Sequence, residues 1–226
     1  MKLGCYESPY HPISISGATG VYVDDRIIIC GGEYSYPLIS NEIFTTTDRC
    51  YQLMKGAESF ELLQYMEQER LYAKSIKFQE EMIVSGGRKD TDVYGTGEFI
   101  DSQHTIIQLP EGLYGHAFLN INESTSIIIG GKATVISNEY SKKTHYYNHY
   151  KKEWTSGPEL NIGRAFHTAG VLVDHDSNQQ HIAVIGGENF PFISLDSVEL
   201  LRHGEGAWSK GTVINISKES EICLSI

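Results

Sequence analysis

Runs of branched aliphatic residues, each closed by a glycine pair, recur four times along the chain. They are Ile27-Ile28-Ile29-Cys30-Gly31-Gly32, Met82-Ile83-Val84-Ser85-Gly86-Gly87, Ile127-Ile128-Ile129-Gly130-Gly131 and Ile182-Ala183-Val184-Ile185-Gly186-Gly187. An uninterrupted apolar run of this length, bounded by turn residues, predicts a strand buried on both faces. Glycine at its end permits positive φ and lets a neighbouring backbone come close. A second strand pattern, rich in small residues, precedes each run. Residues 17–23 lead through Asp24-Asp25 into the first, and residues 71–78 lead through Gln79-Glu80-Glu81 into the second. Residues 116–121 and 166–173 lead through polar turns into the third and fourth. Each unit therefore begins as a hairpin of a small-residue strand, a polar turn and an aliphatic strand.

A more polar strand is expected after each glycine pair. Asn41-Glu42-Ile43-Phe44-Thr45, Glu98-Phe99-Ile100-Asp101 and Ser197-Val198-Glu199-Leu200-Leu201 share a Glu followed by bulky apolar residues. In the third unit the candidate is Thr144-His145-Tyr146-Tyr147, with His145 in place of the Glu. Two units then place a tryptophan seven positions on, Tyr147 to Trp154 and Leu201 to Trp208. That spacing puts each indole on a fourth, outer strand, covering a face of its own sheet or the next. The acidic stretch 60–69 reads as an outer strand over 60–63 and then a linker, with a short helix as the competing reading. Four such units, roughly 45 to 55 residues apart, have the period of propeller blades with variable loops.

These residues resemble the kelch repeat family, whose repeat is a four-stranded blade with a double glycine after the second strand, then a Tyr and a Trp at fixed spacing. The likeness runs from about Gly17 to Trp208. It departs in the first two units, which lack the Trp: Tyr51 or Phe60 stands in for it in one, Ile106 or Ile107 in the other. The Arg that often precedes a first strand is matched only by Arg70 and Arg164. The resemblance implies an all-β fold, a kelch-type β-propeller of about four recognisable four-stranded blades in a complete or an incomplete ring. Its blades would span 17–63, 70–109, 113–157 and 164–211 of a single domain, with a tail at 212–226. Kelch propellers usually have five to seven blades, so closure is in question, because an unclosed ring leaves strand edges exposed. Residues 2–7 sit where a preceding blade's outer strand would lie, and the tail, with Val213, Ile214 and Ile216, has the alternation of added strands. Nothing before Gly17 has the length of the BTB domain that joins many kelch proteins to ubiquitin ligases.

Composition narrows the function. Of 226 residues, 29 are acidic and 18 basic, a net charge of −11, which argues against a non-specific nucleic-acid binder. Apolar types make up 40% and charged types 21%, an ordinary globular balance, and no stretch approaches the length of a membrane helix. The first seven residues lack a signal-peptide core. Cys5, Cys30, Cys50 and Cys223 form no metal-type CxxC pair. With Asn41–Thr45 as the return strand, Cys30 and Cys50 fall at opposite ends of a blade about 17 Å long, too far for a disulfide. Cys30 then reads as a small core residue, Cys5 and Cys223 near the termini remain a possible pair, and a reducing, cytoplasmic setting is favoured, with secretion as the alternative. The sequons Asn122-Glu123-Ser124 and Asn215-Ile216-Ser217 are expected by chance.

The candidate catalytic patterns do not assemble into a site. His145 and His149 form an HxxxH spacing, but they flank a strand and turn rather than share a helical face. His116 and His167, in the first strands of units three and four, read as packing residues. No nucleophile elbow, phosphate loop or HExxH occurs, and Gly95-Thr96-Gly97 lacks the rest of a dinucleotide fingerprint. Some propellers are enzymes acting on sugars, of the copper radical oxidase or sialidase kind. Here no convergence of Tyr, His and Cys is indicated, and neither Trp sits in a sialidase box. No cofactor and no metal are expected. The leading reading is a non-catalytic scaffold or adaptor that binds a protein or peptide, with no nucleic acid and no membrane partner. The resemblance places its contacts just after each double glycine: Glu33, Tyr34 and Tyr36; Arg88 and Lys89; Lys132; Glu188, Asn189 and Phe190. Arg88, Lys89 and Lys132 favour an acidic peptide, while Glu33 and Glu188 make the rim mixed.

Overall fold

The computed structural model describes residues 11–37, 42–100, 105–173, 179–190, 193–202 and 204–211. Every regular element among them is a strand. In chain order the first unit holds β1 (Thr19–Val23), β2 (Arg26–Cys30), β3 (Glu33–Pro37), β4 (Glu42–Thr46), β5 (Arg49–Met54) and β6 (Glu61–Tyr65). The second holds β7 (Lys74–Phe78), β8 (Glu81–Ser85), β9 (Arg88–Lys89), β10 (Asp92–Val93), β11 (Thr96–Ile100) and β12 (Ile106–Gln108). The third holds β13 (Ala117–Asn122), β14 (Thr125–Ile129), β15 (Thr144–Asn148) and β16 (Glu153–Ser156). The fourth holds β17 (Thr168–Val173), β18 (Gln180–Ile185), β19 (Glu188–Asn189), β20 (Ile193–Ser194), β21 (Val198–Arg202) and β22 (Ser209–Lys210).

Four antiparallel sheets of four strands result, in the orders β1-β2-β5-β6, β7-β8-β11-β12, β13-β14-β15-β16 and β17-β18-β21-β22. The four apolar runs form the second strand of each sheet. β8 and β14 are covered on both faces, while β2 and β18 bury one face against a neighbouring sheet, and Ser85 is the one polar side chain within the runs. The small-residue strands β1, β7, β13 and β17 stand side by side as the inner edges. Between consecutive sheets lie three apolar layers. Val23, Ile28, Met82, Val84 and Ile100 fill the first, Ile76, Ile83, Phe118 and Ile128 the second, and Ala117, Ile127, Ile129, Ile182 and Val184 the third. The arrangement is β-propeller-like.

Three expectations need correction. Asn41–Thr45 is not the return strand of the first sheet: residues 42–46 form β4, which pairs with β3 in a separate two-stranded ribbon. The third strand is β5, with Tyr51 opposite Ile29. That shift brings Cys50 opposite Cys30, and the two are joined by a disulfide with Cα atoms 4.1 Å apart. The 17 Å separation expected from sequence came from the wrong strand. The outer strand expected over 60–63 is present as β6, Glu61–Tyr65, and the competing helix is not formed. Trp154 covers a face of its own sheet, as expected, with its ring 4.7 Å from that of Tyr147. Both indoles, however, turn toward the preceding sheet and not the next: Trp154 Nε1 donates to the Gln108 carbonyl at 2.7 Å and Trp208 Nε1 to the Pro158 carbonyl at 2.9 Å. Residues 2–7 and 212–226, with Cys5 and Cys223, lie outside the described residues.

Sheets two and four share a buried lock. Arg70, just ahead of β7, pairs with Glu98 of β11 at 3.0 Å and donates to the Gly86 and Thr96 carbonyls and the Thr96 hydroxyl. Arg164, just ahead of β17, pairs with Glu199 of β21 at 2.8 Å and donates to the Gly186 and Ser197 carbonyls and the Ser197 hydroxyl. Sheets one and three have Ile15 and Leu113 at the matching places. The turn entering each inner strand alternates too: Gly17, Tyr72, Gly115 and Phe166 all have positive φ. A Cβ on Gly115 would press on the Phe166 ring, and one on Gly17 would press on Tyr72, so each aromatic ring lies over the glycine before it.

Candidate functional site

The residues chosen after the double glycines lie at one end of the sheets. Glu33, Arg88, Lys132 and Glu188 each form an isolated bridge, to Ser16, Leu71, Tyr114 and Ala165 respectively. The bridge holds each backbone in the same place in every unit, just beside the inner turns. Beyond the bridge, three of the four segments fold back as short ribbons, β3-β4, β9-β10 and β19-β20, rather than as open loops.

The turns crowd three rings together near the inner edges. Tyr72 and Phe166 meet edge to face with centroids 5.0 Å apart, and Phe166 lies 6.1 Å from Tyr114. The Arg88 guanidinium sits 5.6 Å from both the Tyr72 and the Tyr114 rings and donates to the Asp90 carbonyl at 2.8 Å. A guanidinium stacked between two rings is attracted by their negative faces and needs no carboxylate partner. Phe166 keeps 40% of its surface open, so the cluster presents an aromatic face to solvent.

A second group lies beside it. Lys132 is buried with its ammonium 4.6 Å from the centre of the Tyr140 ring. The Tyr140 hydroxyl donates to Glu188 at 3.0 Å, and its pKa is pushed up to about 12, first by burial and then by that carboxylate. Lys89 is paired with Glu69 at 2.9 Å, and Ser16 donates to Glu33 at 3.4 Å. The cations chosen from sequence are thus each engaged by groups of this chain. The remaining chosen residues do not enter the cluster: Phe190 is exposed, Asn189 accepts from the Phe190 N–H at 2.6 Å, Tyr34 lies on β3, and the Tyr36 side chain falls outside the described set. Sequence reasoning missed Tyr72, Tyr114, Phe166 and Tyr140. The first three had a signal, since they stand just before the small-residue strands; Tyr140 sits in a segment with no counterpart in the other units.

The histidines are dispersed. His145 lies 3.6 Å from Glu111, whereas His149 stacks on Phe78 with centroids 3.8 Å apart and bonds to Ser126 at 2.6 Å. His116 and His167 are buried, and burial pushes each down to about 3. Both are neutral imidazoles packed against the glycine loops of the preceding sheets. Among the described residues, no group of three His, Cys, Asp or Glu side chains is placed to hold a metal ion. No described helix is long and apolar enough to cross a membrane.

No protein-family model matches the chain. No curated protein matches it either. Among solved structures, that of YjhT is similar, with a TM-score of 0.68 and 18% identity over 92% of this chain and 68% of that one. At that identity the likeness speaks for the fold alone.

Proposed function

We propose that this chain is a kelch-type β-propeller module of four blades that binds a protein or peptide partner without catalysis. The observation that carries the reading is the aromatic cluster of Tyr72, Tyr114 and Phe166 around Arg88, with Phe166 open to solvent. Rigid rings backed by an arginine supply contact area and directional bonds at little cost in side-chain entropy. Because Arg88, Lys89 and Lys132 are engaged internally, the recognition is led by apolar and stacking contacts at the centre of the rim, and acidic groups on the partner are a secondary element. The Cys30–Cys50 disulfide supports an oxidising compartment in place of the reducing interior expected from sequence.

Phe166→Gly removes the exposed ring and suits the positive φ at that position. Proteins captured by the wild-type chain and identified by mass spectrometry should be lost with Phe166→Gly and with Arg88→Ala, each variant keeping the wild-type β-sheet circular dichroism spectrum. Capture that persists in both variants removes this rim from the reading.

A further inference from the structure

Every interior junction in this chain is built the same way, and its two outer faces carry the two halves of one more. The second glycine of each loop donates to a carbonyl just ahead of the next inner strand: Gly32 to Arg70 at 2.7 Å, Gly87 to Leu113 at 2.8 Å and Gly131 to Arg164 at 2.8 Å. The inner turns are linked in series, Tyr72 N–H to the Gly17 carbonyl at 3.0 Å, Gly115 to Tyr72 at 3.0 Å and Phe166 to Gly115 at 2.7 Å. A Cβ on Gly31, Gly86 or Gly130 would strike the carbonyl of Arg70, Leu113 or Arg164 across the junction.

At the ends, this pattern stops. Among the described residues no carbonyl takes the corresponding bond from Gly187 or from Gly17. A Cβ on Gly186 would meet only the Leu195 carbonyl, at 3.4 Å, and one on Gly170 would meet nothing within 4 Å. The register turns Thr168, Gly170, Leu172, Ala183 and Ile185 away from sheet three, and Leu172 is 51% exposed. On the first sheet, Ala18, Gly20, Tyr22, Ile27 and Ile29 line an open apolar cleft of about 620 Å³, with Tyr22 53% and Ile27 39% exposed. The inner strands β1 and β17 are not packed together as the other neighbours are.

We propose that these two faces bind each other between molecules, the outer face of sheet four in one copy seating the outer face of sheet one in a second copy of this chain. The alternation of the sheets points to the same occupant. Sheet four carries the Arg–Glu lock and the aromatic turn, as sheet two does, and sheet one carries neither lock nor ring, as sheet three does. The new junction therefore repeats the one between sheets two and three, with Gly187 donating to the Ile15 carbonyl of the other copy and its Gly17 donating to the Phe166 carbonyl. Such a contact is head-to-tail: two copies that make it twice close a ring about a two-fold axis, and copies that make it once extend into chains.

Ile27→Glu damages one face and Leu172→Glu the other, both at exposed positions where the single molecule keeps its fold, checked by circular dichroism. Light scattering after size exclusion should give the wild-type chain a mass above the monomer at high micromolar concentration. Each variant alone should be a monomer. Mixed in equal amounts, they should form a dimer and nothing larger, because the pair retains one intact face of each kind. A wild-type chain that stays monomeric overturns the proposal. So does self-association that survives either substitution, or a mixture that yields no dimer.

Discussion

Sheet one and sheets two and four fasten the same inner hairpin by opposite chemistry. In sheet one the last residue of β2 is joined to β5 by the Cys30–Cys50 bond, next to the Met82 thioether and out of water. In sheets two and four the level is held from the side by a buried arginine. The guanidinium ties three segments at once: the entry to the inner strand, the glycine loop and the third strand. Burial pulls the Arg70 pKa down while Glu98 pulls it back up, so the charge persists only because each donor finds an acceptor. Glu98 in turn accepts from the Glu67 N–H at 2.9 Å, and Glu199 accepts from the Asn161 and Ile162 N–H groups at 2.7 and 3.1 Å. A covalent link needs only two strands in register; an ionic one needs the whole neighbourhood. The first responds to reductant and the second to loss of any partner.

The largest effect should follow Arg164→Met, which strands Glu199 in a dry site and costs about 3–5 kcal/mol in urea unfolding. Arg164→Met with Glu199→Met should recover part of that loss, and a double variant no better than the single would deny the ion pair its role. Reduction of Cys30–Cys50 should lower stability by about 3 kcal/mol through the freed unfolded loop, with Cys30→Ala/Cys50→Ala showing the same deficit and no further response to reductant.

Acid sharpens the contrast between the two halves of the chain. His116 and His167 have folded-state values near 3, below the unfolded value of 6.5. Between those limits the unfolded chain takes up protons that the folded one refuses. Their contribution is therefore complete above pH 6.5 and falls as the pH drops towards 3, by about 1.4 kcal/mol per pH unit for each imidazole. Ala18 and Ala73 hold the matching places in sheets one and two, so His116→Ala with His167→Ala should flatten the acid limb. The smallest change is Thr96→Val, which removes one acceptor from Arg70 for about 1 kcal/mol, and Ser197→Ala should do the same for Arg164.

The strands after which glycine pairs occur were legible because their place at the centre of a sheet keeps charged residues out of the run, whether both faces are buried, as in β8 and β14, or chiefly one, as in β2. The third strand of sheet one was not. Glu42-Ile43-Phe44 has the pattern of Glu98-Phe99-Ile100, and β5 has Tyr51 where the others have an acid or His145, so the ribbon was mistaken for the sheet and the disulfide was lost with it. At the rim, the positions after the glycines were placed at the correct end by the repeat itself. Their partners were hidden, since Arg88 gains its meaning from rings that come from two other turns, and a linear pattern does not reveal which turns converge. The burial of Lys132 beneath Tyr140 was equally invisible, because lysine in a glycine-following segment reads as solvated.

The alternation of bare and ring-bearing turns also limits how such a chain can be lengthened or shortened. Phe166 needs the empty space above Gly115, and Tyr72 that above Gly17. Copying or deleting one sheet would set two bulky turns, or two empty ones, next to each other and leave either a collision or a hole on the axis. Growth that preserves the fit must proceed by twos, so the working module of this architecture is a couplet of unlike sheets.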